Sequence, residues 1–419
     1  MATNYIDRSK PLSELKLFDK EILECPYHHN QELRDNAPVY QDADTGIFLV
    51  SKYELVKEAA RKKDIFSNEF GLNSESNTHP PAVMEAMKRQ ANMGKGTLLT
   101  IDDPEHKKYR ALVKDFFIPE KIAAYEEWIL DFANKQIEKF ADQGKCEFIE
   151  SFARPLPLSV ILHVLGIPLE RFDDCFKWTV DSVTALSGVA DEAGLISAAH
   201  GVADGHAFFT EEIKARRKNP KEDLLTVIAT ARYEDERELT IEECISFCLQ
   251  FLVAGNETTT ATLAEGMRQI CQHKDQQDIL KNDRSLITNF VDESLRLATP
   301  TSNMWRIAKE DTELGGVSIP AGSQMLLKYF SSNHDEEIFE EPLKFDVTRE
   351  NARSHIAFGF GIHVCIGQLL SKQEMKNGWE MLFNKLENFS LDTDPENLKY
   401  MPNILLRGLE ELPITYDKI

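Results

Sequence analysis

The run from Thr240 to about Cys271 constrains the fold more than any other part of the sequence. Thr240-Ile241-Glu242-Glu243 is a capping-box pattern, a Thr hydroxyl answered by a Glu three residues later. The residues after this cap mix apolar and polar side chains at helical spacing. A helix of that length crosses a whole domain, so the rest of the chain has to pack around it. In its middle stand Ala254-Gly255-Asn256-Glu257-Thr258-Thr259. Gly255 costs about 1 kcal/mol of helix stability relative to alanine. Room for a flat ligand against the backbone would offset that, because Ala254 and Gly255 carry almost no side chain. Thr258 can bond back to the carbonyl of Ala254 and distort the helix there. Thr258 beside Glu257 is a hydroxyl–carboxylate unit able to hold and pass a proton.

Other segments repeat the helical signal: Glu126 to Ala141, Pro157 to Leu165 and Phe208 to Arg217. Strand-like pieces are short: Gly46 to Ser51, Val317 to Pro320, and Gln324 to Phe330, with turn residues Gly315-Gly316 and Pro320-Ala321-Gly322 around the later two. Strand and helix do not alternate in a sustained way, which argues against a doubly wound sheet. No internal repeat or low-complexity linker divides the chain. The expectation is a mainly α protein with a small β-rich region, one domain over residues 1–419.

At 419 residues the chain can bury a large core without disulfide or metal staples. A net charge of −22 repels nucleic-acid phosphates and anionic membrane. Seven cysteines, an odd number at irregular spacing, do not read as a disulfide framework. Reduced thiols in a cytoplasm fit better, and Cys244 and Cys248, four apart, read as small buried hydrophobes. The N-terminus lacks the apolar stretch of a signal peptide, and no segment approaches the ~20 apolar residues of a membrane span.

The most informative stretch is Ala357-Phe358-Gly359-Phe360-Gly361-Ile362-His363-Val364-Cys365-Ile366-Gly367. Gly359 and Gly361 permit tight backbone geometry, so amides can approach the Cys365 sulfur. The helical pattern from Gln368 to Lys376 puts that sulfur near a helix N-terminus, where free N–H groups stabilise a thiolate. The glycines are misplaced for a dinucleotide-binding loop, and no strand–turn–helix unit surrounds them. The stretch resembles the haem-binding loop of cytochrome P450 enzymes, Phe-Gly-x-Gly-x-His-x-Cys-x-Gly, and meets every fixed position. The resemblance implies haem b (iron protoporphyrin IX) with Cys365 as the metal ligand, Phe358 packed by the sulfur, His363 at a propionate, and Gly359 and Gly367 shaping the loop.

Further motifs stand in family order. Ala254 to Thr259 is similar to the family's oxygen-activation motif, which implies Ala254 and Gly255 against the cofactor, Thr258 positioning oxygen and Glu257 passing protons. Glu257 stands where Asp is commoner. Glu293-Ser294-Leu295-Arg296 matches Glu-x-x-Arg, and Arg349 matches the third member of a structural triad. Asp103-Pro104 form a good helix start, after which His106 and Arg110 lie four apart on one face; with Arg306 they resemble residues that hold haem propionates. His334 stands where Arg is frequent, and Ser371-Lys372 replaces the common Ala-Arg.

The resemblance covers essentially the whole chain. It implies the cytochrome P450 fold, with haem between the helix near 241–272 and the Cys365 loop and helix. It implies a monooxygenase that inserts one oxygen atom from O₂ into a C–H bond of an apolar small molecule, such as a terpenoid, a steroid or a fatty-acid-like compound. Leu252, Val253, Thr301 and Met304 are pocket candidates. Residues from Glu69 to Leu99, Thr184 to Thr210 and Thr299 to Met304 would line or cover it, and Ser182 to Gly205 suits a lid. No flavin or nicotinamide motif is present, so a ferredoxin-type donor with an NAD(P)H-dependent reductase is expected. Lys107, Lys108, Lys114 and Lys372 are candidate docking charges. A monomeric cytoplasmic protein without nucleic-acid partner or membrane anchor completes the expectation. The rivals are a peroxide-using peroxygenase and a non-enzymatic haem-binding sensor.

Overall fold

The computed structural model describes residues 10–69, 81–87, 96–233 and 237–419. Its axis is the helix Ile241–Gln272. The cap is reciprocal: the Glu243 amide donates to the Thr240 hydroxyl at 3.2 Å, and the Thr240 amide donates to the Glu243 carboxylate at 2.7 Å. Phe247, Cys248, Phe251, Leu263 and Met267 along this helix are buried in the main core. Burial of that kind, rather than helix propensity, is what holds a helix in a protein. Around it pack the helices Pro155–Leu165, Phe172–Leu186, Glu192–Lys218, Ile287–Ala298 and Gln368–Lys385.

The β-rich part is built of short strands. Five pair in the order Val39–Gln41, Phe48–Val50, Gln324–Leu327, Met304–Ala308, Phe66–Ser67. Val50 lies opposite Leu327 in the one parallel pairing of this sheet, and Met304 lies opposite Leu327 in an antiparallel one. Its faces bury two smaller apolar clusters, one with Phe48, Val56 and Met325, the other with Leu33, Leu49 and Leu326. Lys145–Glu147, Pro413–Lys418 and Leu386–Leu391 make a three-stranded sheet.

The expected mainly helical architecture with a small β region is present. The strand-like pieces around 48, 318 and 325 are strands, but the last stops at Leu327, and Tyr329–Ser332 is one helical turn. The stretch Ser182 to Gly205 lies largely in two helices, the end of Phe172–Leu186 and the start of Glu192–Lys218. Much of the Glu69 to Leu99 stretch lies outside the described residues. Among the described residues no helix is long and apolar enough to cross a membrane. The seven cysteines are free thiols, with Cys244 and Cys248 buried in the main core.

Candidate functional site

The Cys365 loop is shaped by backbone conformations that favour glycine. Gly359 and Gly361 have φ of +75° and +78°. A Cβ at Gly361 would stand 2.6 Å from the carbonyl oxygen of Ala60, so the loop is pressed against the helix Tyr53–Arg61. The Cys365 amide donates to the Phe358 carbonyl at 2.9 Å, which closes the loop. The Phe358 ring is half-buried, with the Lys372 ammonium 5.7 Å from its centre. The helix Gln368–Lys385 begins three residues after Cys365.

The thiol is exposed, yet burial is the largest influence on it and pushes it up. Both statements hold for a thiol that faces an enclosed space, reachable by a small molecule but surrounded by protein. Amide N–H groups of Gly367 and Gln368 and the Arg110 guanidinium oppose the burial and pull the thiol down. These are the donors that a thiolate needs.

Beside the loop, two imidazoles stack with ring centres 4.1 Å apart, those of His106 and His363. His106 comes from the helix Glu105–Val113, and His363 from the loop itself. His363 Nδ1 lies 3.2 Å from the Leu98 carbonyl, while its Nε2 is buried without a partner. Both ring nitrogens of His106 are buried without a hydrogen bond, Nδ1 standing 3.4 Å from Asp103. Burial, His106 and Arg306 drive His363 down to about 3. Burial and Arg110 lower His106 as well. Arg306 is buried and, among the described residues, bonds only the carbonyl of its neighbour Trp305, at 2.7 Å. Among the described residues neither Arg110 nor Arg306 has a carboxylate partner. Two imidazoles and two guanidiniums short of acceptors fit the two propionate carboxylates of a haem.

The middle of the long helix has an accessible face. Ala254 is exposed, and Val253, Gly255, Glu257 and Thr258 are half-buried, although Phe251, Leu252 and Asn256 are buried. The Thr258 hydroxyl donates to the Ala254 carbonyl at 2.8 Å. The helix is continuous through this bond, so the expected distortion does not interrupt it. A Cβ at Gly255 would meet Ile161 at 3.2 Å. Close packing on the helix Pro155–Leu165 therefore accounts for the missing side chain at Gly255, and Ala254 is the more exposed member of the pair. Burial pushes the Glu257 carboxyl up, against Arg154. One residue beyond Thr258, the Thr259 hydroxyl shares a hydrogen bond with Ser371 at 3.0 Å and donates to Glu374 at 3.1 Å. These bonds tie the oxygen-motif segment to the helix that begins just after Cys365.

Glu293, Arg296 and Arg349 are buried together. Arg296 grips Glu293 with two bonds of 2.7 and 2.8 Å, and Arg349 donates to the same carboxylate at 3.1 Å. The remaining guanidinium hydrogens reach backbone carbonyls of Asn333, Pro342, Glu340 and Lys344. Among the pocket candidates, Val253, Thr301 and Met304 are half-buried, whereas Leu252 is fully buried in the main core. Reading the sequence alone missed Asp292, buried next to Glu293, which takes Lys372 at 2.5 Å and His355 at 3.4 Å. It also missed Thr259 and Glu374. The neighbouring motifs were the available signal, but which partner each residue meets is a tertiary fact.

A family model described as Cytochrome P450 matches residues 193–413. The chain is similar to the steroid C26-monooxygenase of Mycobacterium tuberculosis, 33% identical over 384 residues that cover 92% of this chain and 98% of that protein. It is similar to the 6-deoxyerythronolide B hydroxylase of Saccharopolyspora erythraea, 30% identical over 93% of this chain and 96% of that protein. Among solved structures, cytochrome P450 CREJ in complex with (4-ethylphenyl) dihydrogen phosphate superposes with a TM-score of 0.88 at 26% identity, covering 100% of both chains.

Proposed function

The chain belongs to the cytochrome P450 family of haem monooxygenases, and from that premise we propose that it hydroxylates an apolar small molecule, with Cys365 as the haem iron's ligand. The observation that carries this reading is the Cys365 thiol: accessible, enclosed, approached by the Gly367 and Gln368 amides, and flanked by four acceptor-poor cationic or imidazole side chains. The haem is read as haem b, held through its carboxylates by His106, Arg110, Arg306 and His363. Bound haem supplies O₂ activation at an iron made electron-rich by its thiolate ligand.

The chain's own residues supply the rest. The Gly367 and Gln368 amides and Arg110 oppose the burial that raises the Cys365 thiol, whose deprotonation would be completed on binding iron. Thr258, whose hydroxyl is turned to Ala254 O, can turn to donate into the site. Glu257, its carboxyl raised by burial, takes up a proton more readily than an exposed carboxylate and hands it inward. Ala254 leaves the accessible helix face low. Glu293, Arg296 and Arg349 hold the fold and take no part in the chemistry.

Val253 and Met304 give the substrate side apolar surface, and Thr301 adds a hydroxyl beside it. Similarity to the steroid C26-monooxygenase ranks a steroid-like molecule ahead of a terpenoid or a fatty acid. The electron source is read as a ferredoxin-type protein with an NAD(P)H-dependent reductase. Residues 1–419 work as one domain.

The test is the CO difference spectrum of dithionite-reduced protein, wild type against Cys365→His. A strongly red-shifted Soret band in the wild type, lost in the variant, is expected. A band at the position of histidine ligation, unmoved by the substitution, would overturn the ligand assignment.

A further inference from the structure

Away from the Cys365 site, a small polar cavity lies where the N-terminal segment meets the five-stranded sheet. It has a volume of about 20 Å³, and its lining combines apolar side chains such as Leu17, Ile22 and Leu23 with the polar Lys328, Asn30, Asn403 and Arg407. That volume admits about one water-sized particle. Among the described residues no acidic side chain lines it.

Lys328 is the unusual member. It directly succeeds the strand Gln324–Leu327, its amide donates to the Val50 carbonyl at 2.9 Å, and only 3% of it is exposed. Among the described residues its ammonium meets no hydrogen-bond acceptor and no carboxylate. Burial is the one influence on it and pushes it down to about 7. A buried unpaired charge is costly, and proteins pair it or neutralise it. Arg407, the other cation, is provided for: it stacks on Tyr400 at 3.4 Å, donates to the Glu24 carbonyl at 3.0 Å, and lies in the field of Glu265.

The other groups around the cavity also have valence to spare. The Asn30 side chain is buried, and its oxygen has no donor. Turned by half a rotation, that amide presents its N–H groups. The Asn403 oxygen is taken by the amides of Leu405 and Leu406 at 2.9 and 3.0 Å, which leaves its NH₂ available. His29, next to Lys328, is fully buried with both ring nitrogens unpartnered.

We propose that the cavity beside Lys328 binds one small monovalent anion, the size of chloride. The ion would accept from the Lys328 ammonium and the asparagine amides, with Arg407 adding a second positive charge. A water there would satisfy hydrogen bonds but leave the ammonium without a counter-charge. A carboxylate at the end of a substrate is too large for the space.

The haem-loaded protein is melted at pH 6, where Lys328 is charged, in rising sodium chloride or bromide against sodium gluconate at matched ionic strength. Halide is expected to raise the melting temperature of the wild type by about 3 °C at saturation. Lys328→Met, which keeps the length and loses the charge, is expected to show no halide-specific rise. No difference between halide and gluconate in the wild type, or an equal difference in the variant, overturns the site. If Lys328→Met does not fold, anomalous scattering from bromide in crystals of the unaltered protein decides. A peak at hydrogen-bond distance from the Lys328 nitrogen supports the site, and its absence overturns it. None of these readouts depends on the catalytic reading.

Discussion

Two clusters in this molecule use the same kinds of side chain to opposite ends. In the triad of Glu293, Arg296 and Arg349, every strong donor finds an acceptor within the chain, two carboxylate oxygens and a ring of backbone carbonyls. Around Cys365, among the described residues, the imidazoles of His106 and His363 keep nitrogens unpartnered, and Arg110 and Arg306 have no carboxylate. His106 and Arg306 are as buried as the triad, so exposure alone does not make the difference. A polar group whose bonds are met by its own chain holds the fold; one whose bonds are unmet is kept for something else. The cost of leaving it so is on the order of 1–3 kcal/mol per group, which a ligand can return.

The largest effect should come from breaking the satisfied cluster. Glu293→Ala leaves two buried guanidiniums without their counter-charge. Removing one partner of a buried pair typically costs about 3–5 kcal/mol. The expected outcome is little folded, haem-containing protein in expression trials, and a sharply lower melting temperature in whatever survives. A variant that melts with the wild type would mean that the backbone carbonyls alone hold the guanidiniums.

A second satisfied carboxylate gives the pH signature of the same principle. Glu265 is buried and receives Arg268, Gln269 and Tyr400. Burial raises its carboxyl, but Arg268, Arg407 and Tyr400 outweigh that and hold it at about 2. A carboxyl lower in the folded than in the unfolded state stabilises above its unfolded value, and that stability is lost as pH falls through the folded one. The window is therefore from about 4.5 down to about 2, and the stake is roughly 3 kcal/mol. Glu265→Gln should be less stable at pH 7 and show a flatter loss of stability across that window in urea titrations. Parallel acid limbs in the two proteins would show that Glu265 does not set the acid response.

The unsatisfied cluster should behave in the reverse sense. Replacing His106 by Phe and Arg306 by Leu removes groups that the chain itself does not satisfy. The protein without haem should be no less stable than the unaltered chain. Haem should leave about tenfold faster, or more, as expected for the loss of charge-assisted bonds to a carboxylate. Transfer of haem to an acceptor apoprotein measures the rate. A large drop in stability with unchanged haem loss would make this cluster another structural triad.

The contrast also explains what could be read from the sequence. Glu293 and Arg296 are three apart on one helix, so their pairing comes from helix geometry; the motif then required Arg349. The capping box at Thr240 and Glu243 is equally local, and both its bonds are present. The strand Lys145–Glu147 went unread because its pairing joins residues more than 200 positions apart, as Ile414 with Cys146, and Leu386–Leu391 and Pro413–Lys418 are themselves short pieces whose pairing is a tertiary fact. At Gly255, the sequence showed that a side chain had to be absent, but not that the neighbour requiring it is Ile161. Lys328 falls within the strand-like piece Gln324 to Phe330 with nothing local to mark it as buried, and only the packing of residues 17–33 and 403–407 over it makes it a buried charge.

Lys372 lies between the two kinds of cluster and gives the smallest, most discriminating effect. In the sequence it is a candidate docking charge for an electron donor. In the structure about a third of its side chain is exposed, and its ammonium sits 2.5 Å from Asp292, which is almost fully buried. His355 at 3.4 Å and Arg353 at 3.6 Å also face Asp292, so the carboxylate keeps partners when Lys372 is removed. Lys372→Ala should therefore cost only about 0.5–1 kcal/mol. If Lys372 belongs to the satisfied interior, that loss of stability comes without a change in how the rate of reduction by a ferredoxin depends on salt. If it is a docking charge, the slope of rate against ionic strength falls, as it should for Lys107, whose side chain is exposed. The bond to Asp292 argues for the first result: an ammonium committed to a buried carboxylate presents little net charge to an approaching partner.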